Sequence, residues 1–74
     1  SKTSLAQTVA SNLRAEMARR GKTSNDLASL LNISQSSASR RLNGHTPIDL
    51  DDIAMICQGF EVPLSDILRT EVTA

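Results

Sequence analysis

The sequence predicts an all-α fold, a compact bundle of five short helices, and three observations carry that expectation. Apolar residues recur at helical spacing, most plainly Leu5, Val9, Leu13 and Met17 at every fourth position. Residues that cap helices, namely Ser4, Thr23, Ser34 and Asp49, stand just ahead of four helical runs. Residues that end or interrupt helices, namely Gly21, Asn32, Gly44 and Pro63, fall between them. At 74 residues the chain is expected to form a single domain over positions 1–74, near the lower limit for folding without covalent staples.

Each element has its own local reason. Helix 1 is expected at about 5–20, with Ser4 and Gln7 forming a capping box and Ala6 and Ala10 widening the apolar stripe. Arg14, Arg19 and Arg20 suit the negative end of that helix. Arg19 and Arg20 are also candidates for touching phosphate. Helix 2, about 24–31, is capped by Thr23 with Asp26 at the box position, and presents Leu27, Ala28, Leu30 and Leu31. The methyl group of Ala28 lets the next helix cross closely. Asn32 follows, a residue that tolerates the left-handed backbone a tight turn needs. Helix 3, about 35–43, opens after Ser34 and is almost wholly polar. Helix 4, about 49–60, has Asp49 and Asp52 as its cap and carries Leu50, Ile53, Ile56, Cys57 and Phe60. Gly59 within it is expected to cost ~1 kcal/mol relative to Ala. Pro63 then leads into helix 5 at about 64–69, and residues 70–74 read as a frayed tail.

Composition narrows the chemistry. A single cysteine, Cys57, allows no intramolecular disulfide, and its apolar neighbours make it a structural thiol. No apolar run approaches the roughly 20 residues of a membrane span, and no secretory signal is present, so a cytoplasmic protein is expected. Ser1, where an initiator Met would stand, suggests a processed or engineered start and leaves a whole protein and a fragment both open. The net charge is zero, but its distribution is uneven. Residues 1–45 hold seven bases and two acids, for +5, whereas residues 46–74 hold one base and six acids, for −5. That split suggests one basic face for a polyanion, against the alternative that the halves interleave and the charges only solvate. Phe60 is the lone aromatic residue, which disfavours stacking on single-stranded bases.

Residues Thr23 to Gly44, two short helices joined at Asn32-Ile33-Ser34, follow the spacing of a helix-turn-helix. Here the chain resembles the lambda-repressor-like helix-turn-helix family, which includes phage repressors, Cro proteins and Xre-type transcriptional regulators. Gly21, Thr23, Leu27, Ala28, Ile33, Ser34, Ser36, Ser39, Arg40 and Gly44 stand in register with the family pattern, and the likeness spans about residues 5–69. Three positions depart from it. Asn32 replaces a turn glycine, Ala38 a larger aliphatic residue, and Arg41 a Trp or Leu. Arg41 must then lay its stem along the core or reach toward DNA, and Leu42 is expected to compensate by packing against Met17. At the end of helix 4 the glycine stop common in the family is also missing, with Phe60-Glu61-Val62 in its place.

The resemblance implies a sequence-specific regulator that binds a double-stranded DNA operator, a phage or prophage repressor or Cro-like protein. Gln35, Ser36, Ser39 and Arg40 would meet base edges. Lys22, Thr23, Ser24, Ser37, Arg41, Asn43, His45 and Thr46 would grip the sugar-phosphate backbone. Gln matches adenine N6 and N7, and Arg matches guanine O6 and N7. Catalysis is not expected: His45 is the lone histidine, and Asp49, Asp51 and Asp52 splay around a helix axis, with capping to explain Asp49 and Asp52. No metal, cofactor or small-molecule ligand is implied. Competing readings are an antitoxin-type interaction module using the acidic half with Ile48, Leu64 and Leu68, and a DNA-binding subunit of a recombinase complex. Monomer and homodimer, the latter through helix 5 or the tail, both stay open.

Overall fold

The computed structural model describes residues 4–70 and shows five α-helices, with no strand among the described residues. They are α1 (Leu5–Arg19), α2 (Ser24–Leu31), α3 (Gln35–Leu42), α4 (Leu50–Phe60) and α5 (Leu64–Leu68). Each lies within a residue or so of its expected bounds. Asn43 closes α3 as its C-cap and Asp49 precedes α4 as its N-cap. Of the expected tail, residues 71–74 lie outside the described residues. No helix among the described residues is long and apolar enough to cross a membrane.

The starts follow the expected capping chemistry. Backbone N–H groups donate to side-chain oxygens three residues back: Gln7 to Ser4 (3.1 Å), Asp26 to Thr23 (3.3 Å), Ser37 to Ser34 (3.1 Å) and Asp52 to Asp49 (2.8 Å). At Thr23 the box is complete, because its own N–H donates to Asp26 Oδ2 at 2.8 Å. Those bonds hold the Asp26 carboxyl below its ordinary pKa. Asp52 shares in the α4 cap through its N–H, but its carboxylate does not reach back to close a box. Its carboxylate faces Arg41 instead.

The ends of the first four helices use one device. An N–H donates back five residues, from Lys22 to Met17 O, Ile33 to Ala28 O, His45 to Arg40 O and Val62 to Cys57 O, at 2.9–3.0 Å. Each such turn needs a residue with positive φ just before the donor. Gly21 (68°), Asn32 (56°), Gly44 (79°) and Glu61 (57°) supply it. Asn32 thus takes the left-handed conformation expected of it. Glu61 does the same where the family places glycine, so the stop persists with a bulkier, strained residue.

One apolar cluster joins α1, α2, α4, α5 and one methyl group of α3: Val9, Leu13, Met17, Leu27, Leu31, Ala38, Ile53, Ile56, Phe60, Val62 and Ile67 are all buried in it. Leu42 is half-buried against the same cluster that holds Met17. Cys57 also lies half-buried against the core, and burial pushes its thiol above its ordinary pKa. Gly59 turns out to be more than a propensity cost. A Cβ there would lie 2.5 Å from Leu30 Cδ1, so its missing side chain is what lets α2 and α4 approach so closely. Asn12 of α1 donates to the carbonyls of Ile67 (2.8 Å) and Arg69 (2.7 Å), tying down the far end of α5.

Candidate nucleic-acid interface

α3 is presented by the rest of the molecule more than it is buried in it. Ala38 is its one fully buried residue, at 0 % exposure, and it packs in the same cluster as Ala28 of α2. Small residues on both helices let them cross closely, and most of the polar side chains of α3 stay outside. Gln35, Ser36 and Arg40 are exposed, and Ser37 and Ser39 are half-exposed. Gln35 and Ser39, and likewise Ser36 and Arg40, are four residues apart and share a face.

Two hydrogen bonds set the edges of that surface. At its first turn Gln35 Nε2 donates to Ser24 Oγ (2.9 Å), drawing together the N-termini of α3 and α2. At its last turn Arg40 Nε donates to Thr46 Oγ1 (3.3 Å), while the N–H groups of His45 and Thr46 donate to Arg40 O at 2.9 and 3.3 Å. The loop after Gly44 is therefore folded back on Arg40. With Nε engaged, the two terminal nitrogens of its guanidinium remain for a ligand, the end that matches a paired acceptor.

The residues expected at the backbone fall into three groups. Thr23 and Ser24 stand beside Gln35, although the Thr23 hydroxyl is already committed to Asp26. Ser37, Asn43, His45 and Thr46 lie along α3 and the loop that follows it. Lys22 and Arg41 are placed differently. The Lys22 ammonium sits 5.7 Å from the centre of the Phe60 ring, beside the end of α4. Arg41 turns inward: its Nε lies 3.6 Å from Asp52 Oδ2, its Nη1 donates to Ser37 O (3.2 Å), and its side chain is 20 % exposed.

The charge pattern also differs from a simple basic face. Glu16, 3 % exposed, pairs with both Arg19 and Arg20, its Oε1 lying 2.7 Å from Arg20 Nη1. Those two hydrogen-bonded guanidinium groups hold its carboxyl below the usual carboxylate range. Arg20 further donates to Glu61 O (3.3 Å) at the end of α4. Arg19 and Arg20, candidates for phosphate on sequence, are thus partnered within the protein. Arg14 Nη1 donates to Leu42 O, fastening the end of α3 to α1. The bases of residues 1–45 and the acids of residues 46–74 interleave at Arg41 and Asp52 rather than occupying wholly separate faces.

Sequence reasoning missed Glu16 as the buried partner of Arg19 and Arg20, and Arg14 and Asp52 as residues that meet α3. For Glu16 a signal was available: it lies three residues after Leu13 on the flank of the apolar stripe, and three and four before the two arginines. Nothing local in the sequence marks the other two.

Two crossing helices joined by a tight turn, with the second exposed and polar and its flanks rich in short hydrogen-bonding side chains, define a helix-turn-helix DNA-binding domain. The family model for the Cro/C1-type HTH DNA-binding domain matches residues 12–72, and the chain belongs to that family. Among solved structures it is similar to the crystal structure of the clp gene regulator ClgR from C. glutamicum. The TM-score is 0.82 at 22 % identity, covering 90 % of this chain and 87 % of that one. That likeness concerns the fold. No curated protein matches the sequence.

Proposed function

We propose that the chain is a sequence-specific transcriptional regulator that lays α3 in the major groove of duplex DNA, and that it serves as a phage or prophage repressor or Cro-like protein. The observation that carries the reading is the exposed polar side of α3, where Gln35 and Arg40 are each steadied by a neighbouring hydroxyl. Gln35, Ser36, Ser39 and Arg40 read bases. Thr23, Ser24, Ser37, Asn43, His45 and Thr46 hold the backbone on either side, with Lys22 adding charge nearby. Such a protein works where the DNA is, in the cytoplasm of a bacterial or phage-infected cell. A homodimer through α5 or the tail would read two half-sites about 34 Å apart.

Arg40→Ala tests the base reading. Loss of a bidentate guanine contact weakens binding to the preferred site by about tenfold or more and relaxes the choice of one base pair. An unchanged affinity and unchanged salt dependence would remove the mechanism. A second reading, a module that grips a protein partner, draws on the exposed leucines of the acidic half, Leu64 (52 %) and Leu68 (38 %), whereas Ile48, expected in the same surface, packs partly against the core. Partner capture that survives Arg40→Ala while no duplex is bound favours it.

A further inference from the structure

The two neighbouring arginines of α3 are held in opposite ways. Arg40 is exposed and reaches the following loop, whereas Arg41 lies three residues after buried Ala38 and so shares its inward side. The Arg41 guanidinium is bound to its own helix through Ser37 O and faces Asp52 of α4, whose side chain is only 21 % exposed. Its Nε is shut off from solvent and has no hydrogen-bond partner among the described residues, so the carboxylate 3.6 Å away is the group that balances it. α3 otherwise meets the core through one buried methyl group and half-buried Leu42. Side-chain bonds from Arg14 to Leu42 O and from Gln35 to Ser24 tie the ends of α3 to α1 and α2, and the charged pair adds a tie to α4, a helix that neither bond reaches.

We propose that Arg41 is a positioning residue: its ion pair with Asp52 fixes the angle at which α3 presents Gln35, Ser36 and Arg40, and it makes no phosphate contact. The proposal deepens the DNA-binding reading and rests on it. The sign of the electrostatics favours it. For Arg41 to reach a phosphate, it would have to leave Asp52, releasing a half-buried carboxylate beside a polyanion in a region that already carries Asp49 and Asp51.

The test measures binding of the 74-residue chain to its selected duplex and to a scrambled duplex across a salt series, for wild type, Arg41→Met, Asp52→Asn and the double variant. Each single variant is expected to reduce the ratio of specific to non-specific affinity by about fivefold, with the double variant no worse than either single one. The slope of log affinity against log salt stays as in wild type. A phosphate contact predicts the contrary pattern. Arg41→Met would lower the slope by about 0.9 and weaken both duplexes alike, while Asp52→Asn would tighten both. A purely structural pair would lower the melting temperature yet leave the ratio unchanged, and this too overturns the proposal. Asp52→Asn conserves side-chain volume and carries the test if Arg41→Met does not fold. Wild type failing to bind any duplex would instead remove the DNA reading itself.

Discussion

Gln35 Nε2 and Ser24 Oγ lie 2.9 Å apart, joining the first turns of the two helices on either side of the turn. The bond spans eleven residues and connects a candidate base reader to a candidate backbone contact. Because it is exposed and neutral, its net worth to folding is small, about 1 kcal/mol or less. Its worth to recognition is larger, since it removes rotamers that Gln35 would otherwise have to give up on binding. Ser24→Ala is therefore expected to leave the thermal midpoint nearly unchanged and to weaken operator binding by about threefold to tenfold. Melting curves and fluorescence anisotropy on the same preparation check both halves.

Glu61 stands at φ 57° where glycine would sit without strain. A left-handed backbone costs a non-glycine residue roughly 1–2 kcal/mol, partly offset because glycine loses more entropy on folding. Glu61→Gly should then stabilise the fold by about 0.5–1 kcal/mol, seen as a rise in the denaturant midpoint. Asn32→Gly, at a residue that tolerates this conformation, should gain less.

Gly59 and Leu30 should be strongly coupled. Gly59→Ala alone gains helix propensity but drives a methyl group into Leu30, with a net loss expected from overpacking of about 1 kcal/mol. In a Leu30→Ala background the same change meets open space and should stabilise by about 1 kcal/mol. Chemical unfolding of the four chains of that cycle gives the coupling directly.

Glu16 makes stability depend on pH. Its folded pKa is lowered by Arg20 and Arg19, so its contribution is fully present above the ordinary value of 4.5 and is lost as pH falls through the depressed folded value. Asp26 acts in the same direction below its ordinary value of 3.8. The melting temperature of wild type should fall between about pH 5 and pH 2. Glu16→Gln should lower it at neutral pH and flatten the acid limb, leaving the smaller slope due to Asp26.

Much of this was legible in the sequence because it is local. Caps at Ser4, Thr23, Ser34 and Asp49 and breaks at Gly21 and Gly44 depend on a few consecutive residues, and their positions bound the helices to within about a residue. The outward face of α3 was legible too, since an almost wholly polar helix has little to bury. What escaped depends on the angle between helices. Asp52 looked like a cap because Asp49 stood three residues before it, but only the placement of α4 against α3 brings its carboxylate to Arg41. Gly59 looked like a flaw because its partner, Leu30, lies 29 positions earlier in the chain. Arg19 and Arg20 read as candidates for phosphate as long as Glu16 enters only the charge balance and not as their partner.

Selection of bound sequences from a pool of random duplexes, run in parallel with wild type and Arg40→Ala, tests most directly the claim that α3 reads DNA. Wild type should enrich a short consensus, and Arg40→Ala should lose preference at one position within it; a palindrome would further indicate a dimer. No enrichment by wild type, or an identical consensus from both proteins, would contradict it.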